Sequence, residues 1–239
     1  MKYLDLTFAD PARNLACDEA LLEWCEQEPM DGGLLRVWQP EKHFVVLGHS
    51  NRLAAEANLA ACAAAAMPIL RRASGGGAVV LGPGCLNYSL ILDCQAHEIK
   101  NIASAFHYVL ERHRHLIETL TGQEIRIGGV SDLTVAGRKF SGNAQYRKSR
   151  HVLVHGTFLL NFELGLIQRC LLLPPKQPQY RQNRPHLDFV ANLELSSGQL
   201  LTGLREVWQA HVECGPVPLS RVGWLARQRY ETADWSNKF

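Results

Sequence analysis

The sequence predicts an α+β fold in which a mixed β-sheet is flanked by helices. Residues 14–25 and 99–120 carry apolar side chains at the three- and four-residue spacing of an amphipathic helix. Most other apolar segments are short, rich in β-branched residues and separated by glycine or proline, which is typical of strands. At 239 residues the chain can bury a full core, so we expect one large domain.

The first half of the chain predicts two helices and five strands. Asn14 is placed to cap the helix over 14–25, and the alanine-rich segment 53–66 predicts a second helix that ends before Pro68. The predicted strands are 34–38, 43–48, 68–72, 78–81 and 85–92, with a turn at Gly82, Pro83 and Gly84 between the last two.

The second half predicts the longest helix, over 99–120, and then a hairpin and a long strand. The hairpin turns at Ala136 and Gly137, and the strand covers 152–162. We expect residues 1–203 to form the main domain. Residues 204–239 have room for a helix or two packed on it, as a short C-terminal helical tail rather than an accessory domain.

Composition excludes several classes of protein. The formal net charge of +2 is too small for the protein as a whole to attract nucleic acid. No apolar run approaches the length of a membrane span. The start of the chain carries no secretion signal, and its seven cysteines form no C-x-x-C pair, which argues against disulfides and thiolate zinc sites. We therefore expect a cytoplasmic monomer with reduced thiols that binds neither nucleic acid nor membrane.

The segment from Arg71 to Val80, RRASGGGAVV, is the most distinctive motif. Its glycines lie between two predicted strands, whereas dinucleotide-binding and P-loop motifs place theirs between a strand and a helix. Arg71 and Arg72 put fixed positive charge beside bare backbone, which suits a phosphate or carboxylate. The alternative is a tight turn with solvated arginines.

Two later segments carry further candidates. Lys139 lies on a predicted strand beside small residues, where it can point into a cleft and meet an acyl phosphate, or else face solvent. His155 precedes Gly156 within a strand, and a glycine there often marks the close approach of a ligand or another backbone. The histidines of 99–120 do not share one helix face, so we expect no metal site from protein side chains alone.

Four motifs in this order resemble the catalytic domain of lipoate-protein ligases, within the wider family of biotin and lipoate ligases and octanoyltransferases. They are RRASGGGAV from Arg71, LNYS from Leu86, SDL with GRKFSGNAQ from Ser131, and HGTFLL from His155. The segments NLACDEALL from Asn14 and VVLG from Val45 extend the resemblance over about residues 1–195. It implies the mixed-sheet fold of that catalytic domain.

The resemblance also implies an activity. Such enzymes attach a lipoyl or octanoyl group to a lysine of a carrier domain, of the 2-oxoacid dehydrogenase or glycine-cleavage type. In the ligase form, ATP and Mg²⁺ first convert lipoate or octanoate to acyl-AMP. Lys139 is the implied catalytic residue, on the phosphate or the reacting carbonyl. The implied binding residues are Arg71, Arg72, Ser74, Gly75, Gly76, Gly77, Asn87, Asp132, Ser141, Gly142, His155, Gly156 and Thr157.

Two other functions stay open. An octanoyltransferase would need no ATP, would take its acyl group from acyl carrier protein, and would hold it on a cysteine. Cys170 is the first candidate nucleophile and Cys85 the second, although a buried inert thiol is the commoner outcome for a cysteine in such apolar sequence. The other function is a non-catalytic module that binds the acyl group or the carrier domain. The basic residues 146–150, Lys176, Arg181 and Arg184 can dock an acidic carrier or form solvated loops.

Overall fold

Eleven strands form two sheets in the computed structural model, which describes residues 1–28, 30–97 and 99–239. The strands are β1 (Lys2–Asp5), β2 (Leu34–Trp38), β3 (Phe44–Leu47), β4 (Ile69–Arg71), β5 (Val79–Leu81), β6 (Cys85–Asp93), β7 (Ile125–Gly128), β8 (Asp132–Val135), β9 (Arg138–Arg147), β10 (His151–Leu159) and β11 (Val212–Glu213). The large sheet has the order β11-β1-β2-β6-β10-β9-β8-β7, and the small sheet has the order β4-β3-β5. Parallel pairing at β1 and antiparallel pairing from β2 to β7 confirm the predicted mixed sheet and α+β class.

Helices cover both faces of the large sheet. They are α1 (Pro11–Gln27), α2 (Leu53–Glu56), α3 (Leu59–Ala64), α4 (Ile102–Thr121), α5 (Leu164–Cys170), α6 (His186–Phe189), α7 (Ser197–Val207), α8 (Leu219–Leu225) and α9 (Ala233–Ser236), with a 3₁₀ turn at Gln179–Arg181 and a π-helical turn at Ala226–Tyr230. Among the described residues, no helix has the length and apolar character that a membrane span requires.

The alternation of side chains along β10 divides the interior into two cores. Val152, Val154 and Phe158 pack on the side of α4 and α7, whereas Leu153 and Leu159 pack on the side of α1 and the small sheet. Successive strand residues point to opposite faces, so a strand buried on both faces reads as a continuous apolar run. The candidate site opens on the second side, between the two sheets.

Helix α1 begins earlier than predicted and has a different cap. Asp10 accepts a hydrogen bond from the Ala12 N–H at 2.9 Å, and Pro11 occupies the first helical position, where a missing N–H costs nothing. The prediction that Asn14 caps this helix is wrong. The Asn14 side chain lies buried inside the helix, where its Oδ1 accepts from Arg36 Nη2 at 2.8 Å.

The helix predicted over 53–66 is broken into α2 and α3. Ala57 forms a β-bridge with Leu171, and Asn58 caps α3 by accepting from the Ala61 N–H at 3.2 Å. This pairing with a distant segment overrides the helix propensity of the alanines. The hairpin at Ala136 and Gly137 is confirmed, with φ of 48° and 73°, the left-handed pair that such a two-residue turn requires.

Candidate functional site

A cavity of about 490 Å³ opens between the two sheets. Its lining comes from the glycine segment, from the centre of the large sheet and from residues after α5. The sequence-predicted residues that line it are Arg72, Gly76, Gly77, Asn87, Asp132, Lys139, Ser141, Gly142, His155, Gly156 and Thr157. Arg71, Ser74, Gly75, Cys85 and Cys170 are not part of the lining.

Strand register brings residues from separate motifs into one row. Asp132 pairs with Gly142, Gly142 with Thr157, Thr157 with Asn87, and Asn87 with Trp38. Residues directly opposite one another on neighbouring strands lie on the same face of a sheet. The row is joined laterally where Thr157 Oγ1 donates to Asn87 Oδ1 at 2.6 Å.

Lys139 and Asp132 form the charged centre of the cavity. Lys139 Nζ lies 2.8 Å from Asp132 Oδ1, and Tyr180 Oη donates to Asp132 Oδ2 at 2.7 Å. A register shift between Leu133 and Thr134 allows Lys139, which follows the hairpin turn, to reach back to this carboxylate. The lysine passes over Gly142, where an added Cβ would lie 2.6 Å from Nζ.

Arg72 holds the glycine segment in place through hydrogen bonds to its backbone carbonyls. Its guanidinium is buried and donates to the carbonyls of Gly75 at 2.6 Å and Gly77 at 2.9 Å, and to Ser74 Oγ at 3.0 Å. Burial lowers the pKa of Arg72 to about 10, so it stays charged at neutral pH. Gly76 has φ of 93° and lies against this guanidinium, a conformation that favours glycine. The positive charge of Arg72 therefore lies against glycine backbone that carries no side chains, an arrangement that suits an anion.

Ser74 lies outside the cavity and contacts it through His155. Ser74 Oγ and His155 Nε2 are 2.6 Å apart, and Ser74 is 2% exposed. On the other side of the ring, Nδ1 lies 4.0 Å from Asp18 Oδ2 of α1, whose Oδ1 pairs with Arg36. Burial lowers the pKa of His155 to about 4, so the imidazole that lines the cavity is neutral at pH 7.

Arg71 faces away from the cavity, so the prediction that it walls the binding site is wrong. Its side chain is fully buried. Its guanidinium donates to five backbone carbonyls at 2.8–3.2 Å, those of Gly48, His49, Asn51, Trp235 and Ser236. The Trp235 indole donates back to the Arg71 carbonyl at 2.8 Å. Arg71 therefore joins β4 to the segment around α9.

The two cysteine candidates lie in the core. Cys170, at the end of α5, is 1% exposed and lies beside Cys62, whose thiol contacts the Cys170 carbonyl at 3.6 Å. Burial raises the pKa of Cys85 to about 12, which keeps it a thiol. Neither sulfur has access to the cavity, and no cysteine is found among the described residues that line it.

Several cavity residues were missed from the sequence. Glu56 belongs to the alanine-rich segment 53–66, which predicts only a helix, yet its side chain lines the cavity, and burial raises its pKa. Gln179 and Arg181 line the cavity from the 3₁₀ turn after α5, and Tyr180 of the same turn contacts the cavity residue Asp132. The apolar part of the lining includes Leu15, Trp38, Val46, Leu159, Ile167 and Leu171. Three motifs of the sequence analysis contain residues of this apolar lining: NLACDEALL contains Leu15, VVLG contains Val46, and HGTFLL contains Leu159.

Arg181 and Arg184, two of the candidates for carrier docking, have internal partners. Arg181 is 4% exposed and bonds His186 Nδ1 at 3.2 Å and the Arg184 carbonyl at 3.1 Å. Arg184 donates to the Gly137 carbonyl at 3.2 Å. The interpretation of Arg181 as a docking or solvated residue is therefore wrong, whereas carrier docking by the half-buried Arg184 and by residues 146–150 stays a prediction. Lys176 lines the cavity.

Comparison with known proteins gives a family match and several relatives. Residues 10–210 match the lipoyl protein ligase A/B catalytic domain. Lipoate-protein ligase LplJ of Bacillus subtilis is 27% identical over 244 residues, covering 95% of this chain and 70% of that protein. A putative lipoate-protein ligase A of Aeropyrum pernix is 30% identical, with coverages of 87% and 74%. Octanoyltransferase LipM of Oceanobacillus iheyensis is 23% identical, with coverages of 97% and 92%.

Solved structures share the fold. A bi-partite lipoate protein ligase of Thermoplasma acidophilum, studied with its E2 lipoyl domain, has a TM-score of 0.83 at 22% identity, covering 100% of this chain and 96% of that one. A Thermoplasma acidophilum protein with bound lipoic acid gives 0.82 at 21%, with coverages of 100% and 98%. A lipoate-protein ligase A bound with ATP gives 0.82 at 23%, with coverages of 99% and 98%.

Proposed function

The chain belongs to the lipoyl protein ligase A/B catalytic domain family, and we propose that within it the chain works as an acyl-adenylate-forming ligase. Its relatives are lipoate-protein ligases and octanoyltransferases, so it is an enzyme of one of these two types. In the proposed reaction, lipoate or octanoate is activated with ATP and passed to a lysine of a lipoyl carrier domain. The coverage of the ligase relatives is partial, at 70% and 74% of their length.

The observation that carries the proposal is a cavity with a positioned lysine and no thiol among its described lining residues. A transferase holds its acyl group on a cysteine that faces the substrate. Cys170 and Cys85 are buried elsewhere. Adenylate chemistry needs no protein nucleophile, because AMP already serves as the leaving group. It needs groups that stabilise negative charge, which Lys139 and Arg72 provide.

Lys139 and the glycine segment would have different roles in the two steps of the reaction. In the first, a carboxylate oxygen bonds to the α-phosphorus of ATP, the bond from that phosphorus to the bridging oxygen breaks, and pyrophosphate leaves. In the second, the carrier amine attacks the acyl carbonyl, the bond to AMP breaks, and a proton leaves the nitrogen. Lys139 would face the negative charge that develops in each step, a contribution often worth about 3 kcal/mol. The N–H groups of the Gly76–Gly77 backbone, with Arg72 behind them, would hold the phosphate.

The rest of the lining suits the other parts of the substrates. Leu15, Trp38 and Ile167 offer an apolar wall for an acyl chain. The only carboxylates among the described lining residues are Glu56 and Asp132, and no described group of three potential ligands could hold a metal ion. Any Mg²⁺ arriving with ATP would therefore be coordinated mainly by phosphate oxygens and water, as is usual for this ion.

An experiment that separates ligase from transferase supplies each acyl donor alone. The protein is incubated with octanoate or lipoate, ATP and Mg²⁺, and separately with octanoyl-acyl carrier protein without ATP. We expect acyl-AMP and pyrophosphate in the first mixture only. A hydroxylamine-sensitive acyl-cysteine in the second mixture, lost in Cys170→Ser, would establish the transferase instead.

A pair of lysine variants tests the assignment of Lys139. Lys139→Ala should lower acyl-AMP formation by at least about 100-fold, since a 3 kcal/mol loss corresponds to that factor. Lys148→Ala is the matched control, because Lys148 pairs with Glu23 outside the cavity. Its rate should equal that of the parent. Near-normal activity in folded Lys139→Ala contradicts the proposed mechanism.

A further inference from the structure

Residues 178–191, which we call the strap, lie across the β8–β9 hairpin that carries Asp132 and Lys139. Backbone and side-chain bonds join the two: Arg184 to the Gly137 carbonyl at 3.2 Å, Arg138 to the carbonyls of Leu187 at 2.8 Å and Val190 at 2.6 Å, and the Ala191 N–H to the Lys139 carbonyl at 2.9 Å. The strap is thus fixed to the hairpin at its turn and along its returning strand. Tyr180 is the strap residue that touches the charged centre.

The Tyr180 ring fits a space that two glycines leave open. A Cβ at Gly128 would lie 2.8 Å from Tyr180 Cζ, and one at Gly129 would lie 3.5 Å from Cε1. Phe189 packs on the ring from the strap side, with centroids 5.2 Å apart. The hydroxyl is therefore aimed at Asp132 by packing. Burial and the neighbouring Asp132 carboxylate raise the pKa of Tyr180 well above its usual value, so the hydroxyl keeps its proton and donates.

We propose that Tyr180 is a positioning residue for Lys139 and acts through Asp132. Its hydroxyl occupies Oδ2 of the carboxylate, so that Asp132 holds Lys139 Nζ through Oδ1 alone. This inference rests on the proposed function for its kinetic consequence, although the positioning itself can be measured without catalysis.

The Asp132 carboxylate, which accepts from both Tyr180 and Lys139, determines how many N–H donors of Lys139 remain for a substrate. A lysine ammonium has three donors, and one directed at Oδ1 leaves two for phosphate or carbonyl oxygens in the cavity. Without the tyrosine hydroxyl, Oδ2 becomes a second acceptor for the same ammonium, and the carboxylate loses the donor that partly satisfied its charge. Asp132 then competes more strongly with the substrate for Lys139. The expected loss is in the rate of the chemical step, because the binding walls of the cavity are unchanged.

The reactivity of Lys139 tests the positioning directly. The rate of amine acetylation by acetic anhydride is measured residue by residue by mass spectrometry, with the exposed Lys42 as internal reference. In Tyr180→Phe, Lys139 should be acetylated about threefold more slowly relative to Lys42. Tyr108→Phe is the matched control, since it removes a tyrosine hydroxyl that contacts His97 outside the cavity lining, and it should leave the ratio unchanged. An unchanged or faster ratio in Tyr180→Phe, or an equal slowing in both variants, overturns the proposal.

Kinetics provide the second arm. Tyr180→Phe should lower kcat of acyl-AMP formation by about tenfold and change KM for ATP and for the acid by less than twofold. In an Asp132→Asn background, followed by single turnover, the same substitution should have no further effect, because the interaction passes through that carboxylate. Additive losses in the double variant overturn the proposal. If the parent protein forms no acyl-AMP, the proposed function fails, and the acetylation ratios still decide the role of Tyr180.

Discussion

Adjacent arginines in the glycine motif should respond in opposite ways to the same substitution. Arg71→Lys should destabilise the protein and leave substrate binding nearly unchanged, whereas Arg72→Lys should mainly weaken binding at the cavity. The contrast follows from the two environments. Arg71 bonds only backbone carbonyls outside the cavity, whereas Arg72 bonds the carbonyls on either side of Gly76 in the glycine segment, where Gly76 and Gly77 line the cavity.

The size of the Arg71 effect follows from its hydrogen bonds. Arg71 is fully buried and contacts five carbonyls. A lysine has three donors at one point, so at least two of these carbonyls lose their partner. Each buried unsatisfied carbonyl costs about 1–3 kcal/mol, so two of them lower the free energy of unfolding by about 2–6 kcal/mol. For a chain of this length the melting temperature should fall by about 4–24 °C.

Thermal denaturation and ATP–pyrophosphate exchange together measure the contrast. At a temperature where both variants are folded, Arg71→Lys should keep KM for ATP within about twofold of the parent value. Arg72→Lys should raise it about tenfold, the loss of one charge-assisted interaction of about 1.4 kcal/mol. An Arg71→Lys variant with unchanged melting temperature and a raised KM would refute this reasoning, because Arg71 would then contact the substrate.

Three other predictions concern a thiol, a histidine and a glycine. Cys170→Ser should keep the parent rate of acyl transfer per folded molecule, measured with octanoate and ATP; a lost rate would restore the thioester mechanism. Between pH 6.5 and 5 the free energy of unfolding from urea melts should fall by about 1.6 kcal/mol more in the parent than in His155→Gln, since His155 stays neutral to about pH 4 in the folded state and protonates near 6.5 in the unfolded chain; burial lowers the pKa of His113 to about 3, so His113 adds a similar fall to both proteins, and an equal fall in both would assign the whole effect to such groups. Gly156→Ala should lower the melting temperature because its Cβ would overlap Asn143 Oδ1, whereas Gly75→Ala, with open space around the added Cβ, should not; equal effects would contradict the packing argument.

The parts of the fold with local signals were predictable. The turn at Ala136 and Gly137 needs two left-handed residues in a row, and few dipeptides other than those ending in glycine adopt that geometry readily. The break between α2 and α3 was not predictable, because it is set by the pairing of Ala57 with Leu171, more than a hundred positions away. Glu56 reaches the cavity only because of this break, so its role was hidden with it.

The partners of charged residues were the least predictable feature. Arg181 and Arg184 stand among prolines and polar residues, where solvated side chains are the common outcome. In the structure, the strap and the turn of the β8–β9 hairpin leave carbonyls without strand or helix partners, and such carbonyls need donors. Arg184 supplies one to Gly137 and Arg138 supplies others to Leu187 and Val190. Sequence shows the charges, whereas the identity of the acceptors depends on the path of the folded chain.

The divergence of Arg71 and Arg72 has a simpler origin that was accessible in part from the sequence. Strand β4 ends at Arg71, and successive side chains along an extended segment point to opposite sides. Two adjacent arginines leaving a strand therefore cannot both face one cavity. Alternation alone does not show which arginine faces the cavity. In the register of β4 against β3, Leu47 lies opposite Arg71, and Arg72 is therefore the arginine on the cavity side. The two adjacent arginines thus have separate roles. Arg71 anchors the segment around α9, and Arg72 supports the proposed phosphate site.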